Sequence, residues 1–335
     1  MKYLITGHNG FKGSWLSLML AKDNCELFGL SLAPEQLSHF RKAKLSDLYA
    51  KEFICDIRNK NEVKKIVDEV APEVIIHMAA QPLVIQGYKN PYETFSVNVI
   101  GTLNVLEAAS SCASNPFVLV VTTDKVYRNR SEGKPFREGD CLGGSDPYSA
   151  SKSMADLLSQ SWSMNDPKSR VVIARAGNVI GGGDYSENRL FPDLVKSLRG
   201  NEPIKLRNPN AVRPWQHVLD CLNGYLKLID RGLNGNLETA WNFGPDPEGY
   251  RTVNEVAEAF MKYTKPQEVL TVEPSVHEEA FLTLDSTKAK VELDWQNKLS
   301  FADAIKWTTE WFKADIAGKD MREISEGQVR DYFSV

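Results

Sequence analysis

The sequence predicts an α/β protein built on a doubly wound parallel sheet, with a smaller α/β lobe in its C-terminal part. Short β-rich runs alternate with amphipathic helical stretches over the first 120 residues, a glycine-rich turn follows the first run, and the pattern becomes mixed after residue 181. Strands separated by helices pair in parallel through right-handed crossovers. We expect the sheet domain over residues 1–180, with a returning segment near 213–245, and the lobe mainly over 181–335.

The composition describes a globular chain and argues against two classes of partner. The chain has 335 residues, of which 42% are hydrophobic and 25% charged. Its 40 Lys and Arg against 44 Asp and Glu give a net charge of −4. No basic excess is therefore present to neutralise nucleic-acid phosphates or an acidic membrane surface. The longest apolar runs, such as residues 117–121, are too short to cross a bilayer.

The cysteines and histidines indicate the cellular compartment and whether a metal site is expected. The five cysteines are scattered, without a Cys-x-x-Cys pair, and residues 1–6 form a strand-like run rather than a signal peptide. We therefore expect a cytoplasmic chain with reduced thiols. No two histidines stand at metal-binding spacing, and the segment at His277 lacks the second histidine of a zinc helix, so we expect no metal.

Hydrophobic patterning predicts the individual elements of the sheet domain. Runs rich in aliphatic and β-branched residues predict strands at residues 2–6, 26–32, 52–56, 74–78, 117–122 and 170–175. Between these runs, apolar residues at helical spacing, as at Val63, Ile66 and Val70, predict helices. Those helices span about residues 14–23, 61–70 and 91–109.

A polar stretch separates the strand predicted at residues 117–122 from the strand predicted at residues 170–175. Residues 128–147 contain several glycines and prolines with little periodicity, and a loop of that length is usually functional or disordered. A helix is predicted to begin near Tyr148. Beyond residue 181, amphipathic spacing predicts helices near 191–198, 252–263 and 301–313, which belong to the smaller lobe.

The glycine-rich turn joins the first predicted strand to the first predicted helix. Its glycines stand at G-x-x-G-x-x-G spacing. Glycine permits a tight turn and a close approach of the backbone to a diphosphate, and the helix N-terminus offers free N–H groups and a positive dipole. At the first βα junction of a doubly wound sheet, this turn predicts a Rossmann-like dinucleotide site formed by Gly7, Asn9, Gly10, Phe11, Lys12 and Gly13.

The adenosine end of that site lacks its usual acidic residue. Ser31 stands near the end of the second strand, where a carboxylate commonly binds the adenosine ribose, so NAD and NADP both stay open. Asp56, followed by Ile57, is placed to meet an adenine edge. An aspartate that caps the turn Asp56-Ile57-Arg58 is an equally good interpretation.

Tyr148 and Lys152 supply candidate redox chemistry, because they are four residues apart on one helical face. A dinucleotide-dependent oxidoreductase needs a base near a substrate hydroxyl. A lysine cation lowers the pKa of a tyrosine and can hold the nicotinamide ribose. Thr123, at the carboxyl end of a predicted strand, is expected to donate to the same substrate oxygen.

Asp124 and Lys125 add an acid and a base that oxidation alone does not need. Epimerisation at one carbon requires only the Thr, Tyr and Lys set. Elimination of water also requires one proton to leave carbon and another to join the departing hydroxyl. The pair therefore favours an elimination, and a helix-capping aspartate beside a solvated lysine is the alternative.

These motifs lie in blocks that resemble the extended short-chain dehydrogenase/reductase family and, within it, the CDP-glucose 4,6-dehydratases. Thr-Asp-Lys is the more specific feature, since most nucleotide-sugar 4,6-dehydratases carry Thr-Asp-Glu there. Tyr185 departs from the tryptophan that commonly follows GGGD. The blocks are TGHNGFKGSW (6–15), HMAAQP (77–82), NVIGT (98–102), TTDKVY (122–127), DPYSASK (146–152), ARAGNVIGGGD (174–184), RPWQHV (213–218) and WNFGP (241–245).

The resemblance implies an NAD-dependent lyase that retains its cofactor through turnover. It implies that Ala79, Ala80 and Gln81 also contact the cofactor. It implies a homo-oligomer, dimer or tetramer, and a place in the synthesis of deoxysugars for cell-surface polysaccharide. The residues expected to bind the substrate, whose diphosphate suits arginine, are Asn178, Arg189, Arg207, Arg213 and His217.

The expected reaction is dehydration of a nucleoside-diphosphate hexose, CDP-glucose by resemblance, to its 4-keto-6-deoxy form. Tyr148 takes the O4 proton, Thr123 orients O4, and Lys152 lowers the pKa of Tyr148. One of Asp124 and Lys125 takes the C5 proton and the other protonates the C6 hydroxyl; which residue does which stays open. One alternative is a nucleotide-sugar 4-epimerase or reductase of the same fold. Another is a dinucleotide-sensing protein without turnover, a class that usually lacks the Tyr or the Lys.

Overall fold

The strands and helices are described for residues 1–23, 25–130, 132–165, 169–235, 237–273 and 281–334 of a computed structural model. The strands are β1 (Lys2–Thr6), β2 (Glu26–Ser31), β3 (Tyr49–Ile54), β4 (Val74–His77), β5 (Phe117–Val121), β6 (Val171–Ala176), β7 (Val179–Ile180), β8 (Ile204–Leu206), β9 (Val212–Pro214), β10 (Gln216–His217), β11 (Ala240–Phe243), β12 (Tyr250–Thr252) and β13 (Val269–Thr271). The helices are α1 (Phe11–Leu20), α2 (His39–Lys42), α3 (Lys60–Val70), α4 (Val84–Lys89), α5 (Pro91–Phe95), α6 (Gly101–Ser111), α7 (Pro147–Asn165), α8 (Leu190–Gly200), α9 (Val218–Leu233), α10 (Val253–Tyr263), α11 (Thr287–Glu292), α12 (Phe301–Ile316) and α13 (Met321–Ser334).

Seven parallel strands form the central sheet, in the order β11-β6-β5-β4-β1-β2-β3. The direction in which the strands are added reverses between β1 and β4. In such sheets, ligands bind outside the carboxyl ends of the strands at this reversal point. The predicted doubly wound, Rossmann-like fold is confirmed.

Successive residues of the inner strands pack on opposite faces of the sheet, as the pleat requires. Leu4 and Ile75 belong to a buried cluster with α3 and α6. Ile5 and Ile76 belong to a second cluster on the other face, which includes α1 and α9 and continues into α12. Because this second core runs from the sheet into the C-terminal helices, the site between them has a packed floor.

The C-terminal part adds three short strand pairs beside the carboxyl edge of the sheet. β7 pairs with β10 and β8 with β13, both in parallel, whereas β9 and β12 pair antiparallel. The helices α8, α10 and α12 pack around these pairs. Within the described residues, no helix is long and apolar enough to span a membrane.

Several boundaries differ from those that the sequence predicts. The first helix begins at Phe11 rather than near residue 14, because Gly10 already takes the extended N-cap conformation. The predicted helix over residues 91–109 is divided by a π-helical turn, Ser96–Ile100, between α5 and α6. Two long helices, α9 and α13, do not appear in the sequence prediction.

Candidate active site

A cavity of about 830 Å³ opens at the carboxyl edge of the central sheet, between the sheet and the C-terminal lobe. Its wall on the sheet side includes the glycine turn after β1, the segment after β4, the residues after β5 and the first turn of α7. On the lobe side it includes residues 183–193 and 205–208. A volume of this size is typical of cofactor and small-molecule sites.

The glycine turn after β1 forms a close-fitting cradle. A Cβ on Gly7, whose φ is +72°, would lie 2.8 Å from Ala79 N, and one on Gly13 would lie 2.4 Å from His8 O. The described residues place no side-chain cap on the first turn of α1, so its N–H groups are available to an anion. This geometry fits the diphosphate of a dinucleotide. The cavity wall contains all six residues predicted there, Gly7, Asn9, Gly10, Phe11, Lys12 and Gly13.

At the end of the cavity where the sequence predicts that adenosine binds, polar side chains hold one another in place. Ser31 Oγ donates to Asn9 Oδ1 at 2.8 Å, and Asn9 Nδ2 donates to the Leu32 carbonyl at 2.7 Å. Asp56 Oδ1 accepts from Arg58 N at 2.9 Å, and the Arg58 guanidinium bound to this carboxylate lowers the pKa of Asp56. Asp56 therefore closes a turn and also lines the cavity.

The segment after β4 contributes backbone and small side chains. Ala79 and Ala80 line the cavity together with Ile57. Gln81, predicted as a cofactor residue, turns to the supporting helices instead: its Nε2 donates to Thr94 Oγ1 at 2.8 Å, and its Oε1 accepts from Leu83 N at 2.6 Å. Because both hydrogen bonds engage its amide, the Gln81 side chain holds the loop in place. Gln81 is not among the residues that line the cavity.

Tyr148 reaches the cavity from the first turn of α7, opposite Thr123 at the end of β5. Burial raises the pKa of Tyr148 to about 12, while the Arg189 cation and a hydrogen bond with Thr123 act in the opposite direction. Thr123 Oγ1 itself donates to Asp124 Oδ1 at 2.9 Å. A phenol with this pKa needs further positive charge beside it before it can act as a base at neutral pH.

Lys152 lies one helical turn beyond Tyr148 and is almost fully buried. Its ammonium donates to the Val121 carbonyl at 2.8 Å. Burial lowers the pKa of Lys152 to about 8, and the nearby Lys12 cation acts in the same direction. Arg189, which the sequence predicts as a substrate residue, is a cation that lowers the pKa of Tyr148. The effect of Lys152 on Tyr148 stays a prediction.

Asp124 is a buried carboxyl with one unsatisfied oxygen. It is 2% exposed, and Oδ2 has no hydrogen-bond partner among the described residues. Burial raises the pKa of Asp124, against the opposing effects of Lys125, Thr123 and Arg213. Burial thus shifts this carboxyl toward its protonated form relative to an exposed aspartic acid. Asp124 and Lys125 both line the cavity, beside Thr123.

A buried polar network supports the turn that carries these three residues. Asp156 accepts from Arg175 Nε at 2.8 Å and Nη2 at 2.7 Å, and from Thr122 Oγ1 at 3.0 Å. Arg175 Nη1 also donates to Tyr127 Oη at 2.8 Å, and this hydroxyl donates to Asn242 Oδ1 at 2.7 Å. Thr122 and Tyr127 flank the turn, so the network holds both of its ends.

Four of the five residues predicted to bind substrate line the lobe side of the cavity. They are Asn178, Arg189, Arg207 and Arg213. Arg189 Nη1 donates to Asp184 Oδ2 at 3.0 Å. Arg207 Nη2 donates to Asp193 Oδ2 at 3.1 Å. Each of these two guanidinium groups is thus held by a carboxylate while it faces the cavity. Arg213 is 5% exposed and lies near Asp124, whose pKa it lowers.

His217 lies outside the cavity wall, although the sequence predicts it as a substrate residue. It is fully buried as the N-cap of α9, where Nδ1 accepts from Leu219 N at 3.3 Å. Its ring packs edge-on against Trp15 and Trp307. The described residues contain no cluster of three potential metal ligands, and His277 lies outside the described part of the chain.

The sequence prediction missed two residues that bond to side chains of the cavity wall. Asp184 orients Arg189 from the GGGD segment, where an acidic residue after three glycines was the available signal. Tyr225, on α9, accepts a hydrogen bond from Lys12 Nζ at 3.1 Å and so supports the side chain of a cavity-wall residue. The apolar spacing of Leu222, Tyr225 and Ile229 would have revealed the helix that presents it.

Comparison with known proteins identifies the family of this chain. It is similar to CDP-glucose 4,6-dehydratase of Salmonella typhimurium, with 37% identity over 99% of this chain and 96% of the relative. It is 25% identical to dTDP-glucose 4,6-dehydratase of Haemophilus influenzae over 93% of this chain and 98% of the relative. The solved structure of dTDP-glucose 4,6-dehydratase from Bacillus anthracis with NAD shares the fold, with a TM-score of 0.82 at 23% identity, over 95% of this chain and 98% of that chain. Residues 3–244 match the NAD dependent epimerase/dehydratase family, and the chain belongs to that family.

Proposed function

We propose that this protein dehydrates CDP-glucose to the 4-keto-6-deoxy sugar nucleotide, as an NAD-dependent hydro-lyase. The observation that carries the proposal is the buried Asp124 carboxyl beside Lys125, on the same cavity wall as Thr123, Tyr148 and Lys152. Three of these residues suffice for oxidation at one carbon, so the additional acid and base indicate elimination. The 37% identical CDP-glucose 4,6-dehydratase supports the same assignment.

The family is NAD dependent, and the glycine turn fits such a cofactor. NAD bound there would supply a hydride acceptor for the hexose C4 and later a hydride donor for C6. The residues of the turn would hold the diphosphate, and Asn9 with Ser31 would meet the adenosine ribose. Lys152, which lines the cavity one helical turn beyond Tyr148, would hold the nicotinamide ribose.

The residues around the hexose divide the proton transfers. Thr123 orients O4, and Tyr148 takes the O4 proton. Lys125, as the neutral amine, takes the C5 proton, whose acidity the 4-ketone increases, and returns a proton to C5 when hydride is delivered to C6. Asp124 donates a proton to the departing C6 hydroxyl, a role that its raised pKa favours. Arg189, Arg207, Arg213 and Asn178 hold the nucleoside diphosphate.

Product identification tests the proposal. The protein is incubated separately with CDP-, dTDP- and GDP-glucose, and each product is examined by mass spectrometry and by alkaline absorbance. We expect CDP-glucose to lose one water and form an alkali-absorbing ketone without net production of NADH. An isomer of unchanged mass would identify a 4-epimerase, and bound NAD without turnover on any of the three would indicate a sensing protein. Either result would overturn the proposal.

The setting and assembly are part of the proposal. We infer a cytoplasmic enzyme because all five cysteines are free thiols and the substrate is a nucleotide sugar. Its product would enter deoxysugar synthesis for cell-surface polysaccharide. Exposed apolar side chains on α5, the π-helical turn and α7, Tyr92, Ile100, Met154 and Leu157, support a homo-oligomer, dimer or tetramer. Light scattering of the Leu157→Glu variant tests this interface, and an unchanged molar mass would argue against it.

A further inference from the structure

One buried carboxylate, near the end of α12, joins segments from both sides of the cavity. The Asp315 side chain is 2% exposed. Its Oδ1 accepts from Lys42 Nζ at 2.6 Å, and its Oδ2 accepts from Tyr185 Oη at 2.8 Å and from Arg199. A buried charge with two cations and a hydroxyl donor is fully supported, so its position is well defined.

The segment held through Lys42 belongs to the adenosine side of the cavity. Lys42 ends α2, which directly follows residues 32–38, and Leu32, Leu37 and Ser38 of that segment line the cavity. Two other contacts anchor the same region: His39 Nε2 is 2.9 Å from Ser325 Oγ, and Asp47 pairs with Arg322. Removing the Lys42 contact alone should therefore loosen the segment without unfolding it.

The segment held through Tyr185 belongs to the substrate side. Tyr185 lines the cavity and adjoins Asp184, which holds Arg189 beside the Tyr148 phenol. The two segments touch at Gly183, whose φ is +82° and where an added Cβ would lie 2.5 Å from His39 Cβ. The two segments therefore adjoin, and Asp315 holds each of them through a separate oxygen.

We propose that Asp315 is a positioning residue that fixes both segments over the cavity, one against the adenosine half of the cofactor and the other against the nucleotide sugar. The substrate half of this inference rests on the proposed function, whereas the cofactor half rests only on the family. Asp315 reaches the substrate side through the hydroxyl of Tyr185 and the cofactor side through the ammonium of Lys42.

Variants that cut one contact at a time separate positioning from general stability. Tyr185→Phe removes the hydroxyl on the substrate side, and Lys42→Met removes the cation on the cofactor side. Tyr263→Phe on α10 and Lys64→Met on α3 remove the same groups away from the cavity and serve as matched controls. Asp315→Asn weakens both contacts, and the single-contact variants keep the test valid if it folds poorly.

The measurements are dissociation constants for NAD and for CDP-glucose, by equilibrium dialysis, together with the melting temperature. Loss of a hydrogen bond to a charged group should weaken CDP-glucose binding about tenfold in Tyr185→Phe and NAD binding about tenfold in Lys42→Met. Each variant should leave the other ligand within about twofold of wild type. Asp315→Asn should weaken both.

The inference is overturned if both variants bind both ligands as wild type does, or if each weakens both ligands equally in step with its melting temperature. The second pattern would show that Asp315 only stabilises the fold. If the wild-type protein binds NAD but not CDP-glucose, the proposed substrate is wrong, and NAD binding by Lys42→Met still decides the inference.

Discussion

Asp124 and Asp156 are both buried carboxyl groups close to the same turn, yet their surroundings differ. Asp156 is fully buried and receives two hydrogen bonds from Arg175 and one from Thr122. Asp124 is nearly as buried but faces the cavity with one oxygen unpartnered among the described residues. A satisfied buried ion pair holds structure, whereas an unsatisfied carboxyl on a cavity wall is suited to proton transfer.

The ion pair of Asp156 also explains how the protein keeps the buried, partly unsatisfied carboxyl of Asp124 in place. The Arg175–Asp156 pair fixes Thr122, and through Tyr127 it fixes the other end of the turn. Asp124 is thereby kept in an environment that raises its pKa. The two carboxyls should therefore respond oppositely to the same isosteric replacement by asparagine.

Asp124→Asn should have the largest effect on catalysis. Because asparagine cannot donate a proton as a carboxylic acid does, we expect kcat to fall about a thousandfold. The melting temperature should stay the same or rise, since the costly buried acid is removed. Steady-state kinetics with CDP-glucose and thermal denaturation measure the two effects. A variant with kcat within a few-fold of wild type would show that another group supplies the proton.

Asp156→Asn should have the larger effect on stability. It leaves the Arg175 guanidinium buried without its counter-charge, which typically reduces the free energy of unfolding by about 3–5 kcal/mol. Urea denaturation measures this change. The remaining folded enzyme should retain much more activity than Asp124→Asn does. Equal losses of kcat in the two variants would contradict the division between a supporting and a reacting carboxyl.

A third buried carboxyl, Asp220, has only neutral donors among the described residues and sharpens the comparison. It accepts from Lys298 N at 2.8 Å and from Tyr332 Oη at 2.9 Å, and burial raises its pKa to about 6. The folded protein therefore holds this proton more tightly than the unfolded chain. Stability from this group is present below about pH 4 and is lost as the pH rises to about 6, by about 3 kcal/mol.

Urea denaturation of the wild type and of Asp220→Asn between pH 4 and pH 7 isolates this effect. The difference in unfolding free energy between the two proteins should change between about pH 4 and about pH 6 and be constant from there to pH 7. A difference that does not vary with pH would mean that the Asp220 proton is equally bound in both states.

The sequence predicted the parts of this protein that depend on local pattern. The parallel strands, the glycine turn at the first βα junction and the Tyr148–Lys152 pair all follow from spacings of a few residues. The α9 and α13 helices were missed although Leu222 and Ile229, or Val329 and Tyr332, stand at helical spacing, because the mixed pattern after residue 181 was assigned helices only near 191–198, 252–263 and 301–313.

The contacts that the sequence did not predict connect distant positions. Arg175 meets Asp156 only after β6 and α7 pack together, and Asp315 meets Lys42 across 273 residues of chain. His217 and Gln81 belong to blocks that resemble the family, but burial between tryptophans and hydrogen bonds to a helix turn them away from the cavity. Such orientations depend on tertiary packing, which a linear motif does not contain.

The fate of the hexose C4 hydrogen tests the account most directly. CDP-glucose labelled with deuterium at C4 and with carbon-13 in the hexose is converted in ordinary water, mixed with unlabelled substrate, and the methyl group of the product is examined by mass spectrometry. The account predicts that deuterium appears at C6 of molecules that carried it at C4, without exchange between molecules. A methyl group free of deuterium, or deuterium shared with the unlabelled sugar, would contradict it.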